Sequence, residues 1–120
     1  MIHEKDWLMR QILTAVEMMA RIIFRKTQPR YEIMDVENMT AADQLHEKLL
    51  GLLGQMRLND AENLLFEKLD TDDQAFLLVA IDFYARVNEL EDGELAVYDF
   101  SREEIESGLQ DVKELFGVVL

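Results

Sequence analysis

The feature that most constrains this chain is its first long helical segment, residues 4–27, which carries more apolar side chains than one neighbouring helix can cover. At about 100° per residue, its polar side chains form a single narrow stripe. They are Arg10, Thr14, Glu17, Arg21 and Arg25. The apolar side chains cover roughly two thirds of the circumference, whereas an ordinary surface helix has an apolar stripe of about 100°. The pattern predicts a helix that contacts several partners and lies at the centre of the core.

Part of this apolar circumference is our candidate interaction face. Six residues define it: Trp7, Leu8, Ile12, Val16, Met19 and Ile23. A domain of this length surrounds about one helix completely, and a second segment, residues 72–90, is nearly as apolar and is the other candidate for the centre. Two such helices leave apolar surface for another chain, so the sequence predicts a homodimer or a complex with another protein.

Four more helices are indicated by apolar periodicity at i, i+3 and i+4. Their predicted bounds are 40–55, 59–70, 72–90 and 102–116. Each begins at or directly after a residue whose side chain can accept a hydrogen bond from the first turn of a helix. These residues are Thr40, Asn59, Thr71 and Ser101. No strand alternation competes with this pattern, so we expect an all-α, compact bundle of about five helices.

The chain is expected to form one domain over residues 1–120. Pro29 cannot continue the first helix, and residues 30–39 are predicted to form an ordered connector across one end of the bundle. Four apolar side chains would pin it: Tyr31, Ile33, Met34 and Val36. The turn between the second and third helices is short, so these two must pack as an antiparallel hairpin, which resembles a single tetratricopeptide-type unit.

Charge and composition exclude several classes of function. The net charge is −13, and there is no cysteine. Residues 1–30 hold six Lys/Arg against three acidic residues, whereas residues 31–120 hold six against 22. A basic first helix on an acidic body does not suit nucleic acid, which needs clustered Lys/Arg. Without cysteine there is no disulfide or thiolate site. No secretory leader or spanning segment is indicated, so we expect a cytoplasmic protein.

The motifs of catalysis and metal binding are incomplete. His46 and Glu47 suggest a zincin helix, but the second histidine of that motif would fall on Leu50. Asp43 and His46 provide two metal ligands with no third, so we expect His46 to face solvent. The acids at residues 70–73 lack the glycine and the final glutamate of a calcium loop. The sequence therefore predicts no catalytic residue, no metal site, no cofactor and no enzyme.

Three segments together resemble a known family. They are Glu4-Lys5-Asp6-Trp7-Leu8-Met9-Arg10-Gln11-Ile12, Asn59-Asp60-Ala61-Glu62-Asn63-Leu64-Leu65-Phe66 and Phe100-Ser101-Arg102-Glu103-Glu104-Ile105. The chain is similar to a family of small, acidic, all-helical proteins of low-GC Gram-positive bacteria whose function is unknown. The resemblance implies a bacterial cytoplasmic protein, and it brings no activity and no functional residues with it.

A protein–protein interaction or scaffold role is the function that the sequence favours. Two alternatives stay open. The basic amphipathic first helix is compatible with peripheral association with a membrane surface. A small-molecule pocket between the first helix and the segment 72–90 would take its polar contacts from Asp82, Tyr84 or Tyr98.

Overall fold

The computed structural model describes the backbone of residues 4–120 and the side chains of residues 6–120. Six helices occupy this range: α1 (Glu4–Phe24), α2 (Ala41–Gly54), α3 (Leu58–Lys68), α4 (Gln74–Asn88), α5 (Asp92–Val97) and α6 (Arg102–Leu115). The same range contains no strand. The prediction of an all-α bundle is confirmed. The prediction did not include the short α5.

Helix α4 is the centre of the bundle. Every residue from Phe76 to Ala85 is buried, including Asp82. A helix that is apolar on all sides is stable in water only when neighbours surround it. α1, α2 and α6 pack directly on α4, and α3 packs on α2 as the second arm of a helical hairpin. The other helices are therefore arranged around α4, as the apolar segment 72–90 predicted.

Helix α1 has one buried face and is not a second centre, so this part of the prediction was wrong. Its buried residues are Leu8, Ile12, Val16, Met19 and Ala20. They pack on α4 and α6. The opposite side is open to solvent, and it includes apolar side chains that the sequence assigned to the core. The helices of residues 4–120 surround α4, and none of them covers the outer side of α1.

Eight of the ten predicted helix ends differ from the structure by one to three residues. α1 ends at Phe24 because Arg25 adopts a left-handed conformation with φ 54°, four residues before Pro29. α4 is capped by Asp73, whose side chain accepts from the Ala75 amide, and not by Thr71. α3 starts one residue before Asn59, which was the predicted cap. Helix ends are the least reliable part of a sequence-based prediction, because the terminal turn depends on local backbone conformation.

The connector between α1 and α2 is held at one end only. Tyr31 and Ile33 are half-buried, whereas Met34 and Val36 are exposed. The backbone N–H of Tyr31 donates to the Asp82 carboxylate on α4 over 2.8 Å. Arg30 forms an ion pair with Glu89. Polar contacts to α4 therefore fix the first residues of the connector, and the predicted apolar contacts of Met34 and Val36 are absent.

A buried arginine joins the ends of three helices. Arg102, the first residue of α6, is 2% exposed, and its guanidinium donates to the backbone oxygens of Asn88 and Leu90 and to the Asp92 carboxylate. The side-chain amide of Asn88 in turn donates to the backbone oxygen of Met9 on α1. α1 and α6 therefore begin at the same end of the bundle, beside the end of α4.

Replacing this arginine should destabilise the whole bundle. Arg102→Met leaves buried carbonyl oxygens without donors, and we expect the free energy of unfolding to fall by about 3 kcal/mol or more. Urea denaturation followed by circular dichroism measures the change. Arg57→Met is the matched control, because Arg57 forms an exposed ion pair with Asp60 and should cost less than about 1 kcal/mol. Equal losses in the two variants would refute the assigned role of Arg102.

A close contact between α4 and α6 depends on a glycine. The Cβ of any side chain at Gly108 would overlap the Tyr84 hydroxyl group and lie 2.8 Å from a Glu62 carboxylate oxygen. Tyr84 cannot move away easily, because it is fully buried and its hydroxyl donates to Glu62. Gly108 therefore gives Tyr84 room to reach α3 across the core.

Two glycine-to-alanine substitutions should have opposite effects on stability. Gly108→Ala overpacks the contact with Tyr84, and we expect a loss of about 1–3 kcal/mol despite the higher helix propensity of alanine. Gly51 is also helical, but a Cβ at this position would meet no atom within 4 Å. Gly51→Ala should therefore stabilise the protein by about 0.5–1 kcal/mol. Thermal denaturation of both variants tests the pair, and a stabilised Gly108→Ala variant would contradict the proposed contact.

Candidate interaction surface

The structure divides the six residues of the predicted interaction face between core and surface. Leu8, Ile12, Val16 and Met19 are buried and pack within the bundle. Ile23 is half-buried against the same core. Only Trp7 is exposed. The four buried side chains are therefore not available for docking in the folded chain. The sequence pattern could not tell which part of a wide apolar face meets α4.

A different row of apolar side chains is open on α1. Trp7, Met18 and Ile22 are 54%, 44% and 57% exposed, respectively. At 100° per residue they lie within about 60° of one another on the outer side of the helix. The row is roughly 22 Å long at 1.5 Å per residue. We call these three residues the α1 stripe. Leu13 is also exposed, but it lies on the far side of the polar stripe of α1.

The α1 stripe has a basic edge. Arg10, Arg21 and Arg25 are exposed, and none of them forms an ion pair with an acidic residue in the described part of the chain. Glu17 is the acidic residue within this edge. The combination of an apolar row and three arginines is typical of surfaces that bind acidic, partly apolar partners. The sequence pattern predicted the basic stripe and the wide apolar face of α1, but it did not indicate which apolar side chains stay exposed.

A second surface, between α3 and α6, has the opposite charge. Two adjoining clefts of about 360 and 390 Å³ share Phe66 and Asp111. Four carboxylates and two apolar side chains characterise them: Glu62, Glu104, Asp111, Glu114, Phe66 and Leu115. We call these six residues the acidic groove. Among the described residues, none of the four carboxylates forms an ion pair with a basic residue.

Repulsion between carboxylates is evident inside the acidic groove. The pKa of Glu62 is raised above its ordinary value, chiefly by burial and further by the charges of Glu104 and Asp111. A hydrogen bond from the Tyr84 hydroxyl opposes this rise. A cationic group placed in the groove would offset the repulsion among these carboxylates. The groove is therefore electrostatically suited to a basic occupant.

A smaller groove separates α1 from α6. It has a volume of about 180 Å³ and is lined by Gln11, Ala15, Glu106, Gln110 and Lys113, among others. Because both helices begin beside Asn88 and meet along this groove, they run side by side in the same direction. The α1 stripe and the acidic groove thus lie on opposite sides of α6.

Three of the buried polar residues, Asp43, His46 and Asp82, form a cluster with Tyr31 and Arg86. The Asp82 carboxylate accepts from the Tyr31 backbone N–H and from the guanidinium of Arg86, and it lies 3.8 Å from Nδ1 of His46. The Tyr31 hydroxyl donates to Asp43, which is the N3 residue of the capping box of α2. His46 is 5% exposed and lies 4.9 Å from the Tyr31 ring, centroid to centroid. The prediction that His46 faces solvent was therefore wrong.

Burial and hydrogen bonding shift the pKa values of the side chains in this cluster. Burial lowers the pKa of His46, an effect that the nearby Asp82 carboxylate partly opposes. The hydrogen bond from Tyr31 lowers the pKa of Asp43, and burial raises the pKa of Tyr31 to about 12. Throughout the described side chains, every buried nitrogen or oxygen has a hydrogen-bond partner. The cluster thus fixes the connector to α2 and α4.

The low pKa of His46 predicts that acid destabilises the protein. Below a pH of about 6.5 the unfolded chain binds a proton at His46 more readily than the folded chain, so the free energy of unfolding falls as the pH decreases. His46→Gln removes this contribution, and the difference in stability between wild type and variant should change between about pH 7 and pH 5. Urea denaturation at each pH measures it, and a constant difference across this interval would rule out the assignment to His46.

The three polar residues of the predicted pocket between α1 and α4 do not converge. Asp82 belongs to the cluster with Tyr31 and His46, whereas Tyr84 points to Glu62 on α3. Tyr98 is exposed beside α5, where its backbone oxygen accepts from Asn59. Apolar side chains fill the contact between α1 and α4. The pocket hypothesis is therefore not supported by the positions of its own residues.

The described part of the chain contains neither a cluster of metal ligands nor a helix that could span a membrane. Among the side chains of residues 6–120, no group of three or more His, Cys, Asp or Glu is arranged to hold a metal ion. Over the same residues, none of the helices has the length and apolar character required to pass through a bilayer.

The fold and these surfaces define a small all-helical protein that carries two oppositely charged, partly apolar surfaces. A family model described as "Family of unknown function (DUF6483)" matches residues 2–117, so the chain belongs to this family. The expected membership of a family of unknown function is thereby confirmed. No curated protein and no solved structure matches the chain. The family description names no activity, and the surfaces themselves are the basis for a functional proposal.

Proposed function

We propose that this protein is a non-catalytic protein–protein interaction module that docks through the α1 stripe. The observation that carries the proposal is the alignment of Trp7, Met18 and Ile22 in one exposed row with arginines along its edge. Single exposed apolar residues are common on soluble proteins and need no explanation. An aligned row that contains a half-exposed tryptophan is different, because tryptophan and arginine dominate the energetics of protein interfaces.

Three other exposed apolar side chains do not form a comparable surface. Met34 and Val36 belong to the connector, and Val97 lies at the end of the short α5. None of these positions combines an aromatic residue, a regular helix and a basic edge. A rigid helix also loses little conformational entropy when it is bound, whereas a connector must first be ordered. The α1 stripe is thus the surface best suited to a stable partner.

Site-specific photocrosslinking in the native cells tests the proposal directly. A photoreactive benzophenone amino acid in place of Met18 would lie within the α1 stripe, and we expect it to form a discrete crosslinked protein product. The same amino acid in place of Val36 is the control, since this side chain is exposed but lies outside the stripe. Ile22→Glu should remove the product from position 18, because a charge is buried unpaired in the interface.

The outcomes of this experiment separate the alternatives. A product that forms at position 18, is absent at position 36 and is lost in Ile22→Glu supports docking through the α1 stripe. Crosslinking only to lipid would replace the proposal by association with a membrane surface. The absence of any product, or equal products at both positions, would refute it. Ile22→Glu is expected to fold normally, because substitutions of exposed side chains usually change stability by less than about 0.5 kcal/mol.

A further inference from the structure

We infer that the partner of the α1 stripe is a second copy of this chain, and that the stripe of each copy sits in the acidic groove of the other. This inference rests on the proposed function and names its partner. Each copy carries both surfaces, so the same contact is made twice in a two-fold symmetric dimer. A closed dimer of this kind leaves neither surface exposed.

Charge complementarity favours a second copy as the partner. The α1 stripe is bordered by Arg10, Arg21 and Arg25, which have no acidic partner among the described residues. The acidic groove holds four carboxylates that have no basic partner there. The remainder of the chain is strongly acidic, with six Lys/Arg against 22 acidic residues over 31–120. The basic edge of α1 is thus the charged surface of this chain that matches the groove.

The relative positions of α1 and α6 favour the same partner. Gln11 and Ala15 line the small groove with Gln110 and Lys113. A residue of α1 therefore lies beside the residue of α6 whose number is about 96 higher. This offset places Met18 level with Glu114. The two helices run in the same direction, so the whole α1 stripe is level with α6 and the chain segment that follows it.

A two-fold axis parallel to α6 brings the two surfaces together. Rotation about this axis leaves each residue at the same position along the helix direction and exchanges the two sides of α6. It therefore places α1 of one copy over the acidic groove of the other, and α6 of one copy over the small groove between α1 and α6 of the other. Helical ridges then enter grooves on both sides of the axis, which is how helices pack in protein interiors.

The heights of the individual side chains agree with this arrangement. Along the helix direction, Met18 of one copy lies at about the same position as Leu115 and Phe66 of the other. Apolar side chains therefore face apolar side chains. Arg10 and Arg21 are 11 residues apart, about 16 Å along a helix, and Glu104 and Glu114 are 10 residues apart, about 15 Å. The spacing of the arginines on α1 thus matches that of the carboxylates on α6, within the reach of an arginine side chain.

Reversal of one charge on each surface tests the arrangement. We expect the wild-type protein to sediment as a dimer at micromolar concentration in analytical ultracentrifugation. Trp7 is the single tryptophan, and its fluorescence should shift to shorter wavelength as the dimer forms. Arg21→Glu and Glu114→Arg should each weaken dimerisation by roughly tenfold or more, because like charges then face each other. Arg57→Glu, on the exposed start of α3, is the control and should leave the dimer intact.

Mixing the two variants distinguishes this dimer from all others. In an equimolar mixture of Arg21→Glu and Glu114→Arg, both contacts of the mixed dimer pair opposite charges or restore a native pair, so dimerisation should return towards the wild-type level. The double variant on one chain should be restored in the same way. In a dimer in which the two α1 helices contact each other, Glu114→Arg alone would leave dimerisation intact.

Each remaining outcome overturns the inference in a recognisable way. A wild-type protein that stays monomeric up to several hundred micromolar would refute self-association, while crosslinking from position 18 to a different protein would leave the proposed function intact. A dimer that Ile22→Glu dissociates but Glu114→Arg does not would retain the α1 stripe and reject the acidic groove. Circular dichroism of each variant confirms that a loss of dimer is not a loss of fold.

Discussion

The burial of Phe76 to Ala85, the central stretch of α4, is the constraint on which the rest of the structure depends. A helix with apolar side chains on every side is stable only inside a layer of other elements, and this chain supplies α1, α2 and α6 as direct neighbours of α4. The same constraint explains the hydrogen bonds of the polar residues of α4. Asp82 and Asn88 are buried with it, so Tyr31, Arg86 and Arg102 must provide their hydrogen bonds.

The surfaces of the protein follow from the same arrangement. With the core side chains of α1 and α6 directed towards the centre, their outer sides are left to solvent, and α6 separates a basic, apolar surface from an acidic one. The basic first segment and the acidic remainder of the sequence thus form separate surfaces of the folded protein. A protein whose net charge is −13 carries a basic edge on the helix that also exposes its tryptophan.

Sequence reasoning was reliable where one physical signal dominated. The helix class, the central position of the segment 72–90 and the capping of α6 by Ser101 each follow from a periodic pattern or a strong cap. It failed where two interpretations of a pattern differ only in tertiary context. A wide apolar circumference on α1 does not reveal which side meets α4, and His46 is buried because Tyr31, distant in sequence, covers it. Gly108 and Arg102 gave no recognisable signal, since their roles depend on contacts across the core.

The buried contacts of Arg102 and Asn88 have a consequence beyond stability. They join the beginnings of α1 and α6 to the end of α4, and so they fix the longitudinal register of the two helices that carry the opposite surfaces. The two surfaces are thereby aligned within the folded chain, and the proposed association would require no refolding of either one. Rigid, fast docking with little reorganisation is the kinetic behaviour that such an architecture favours.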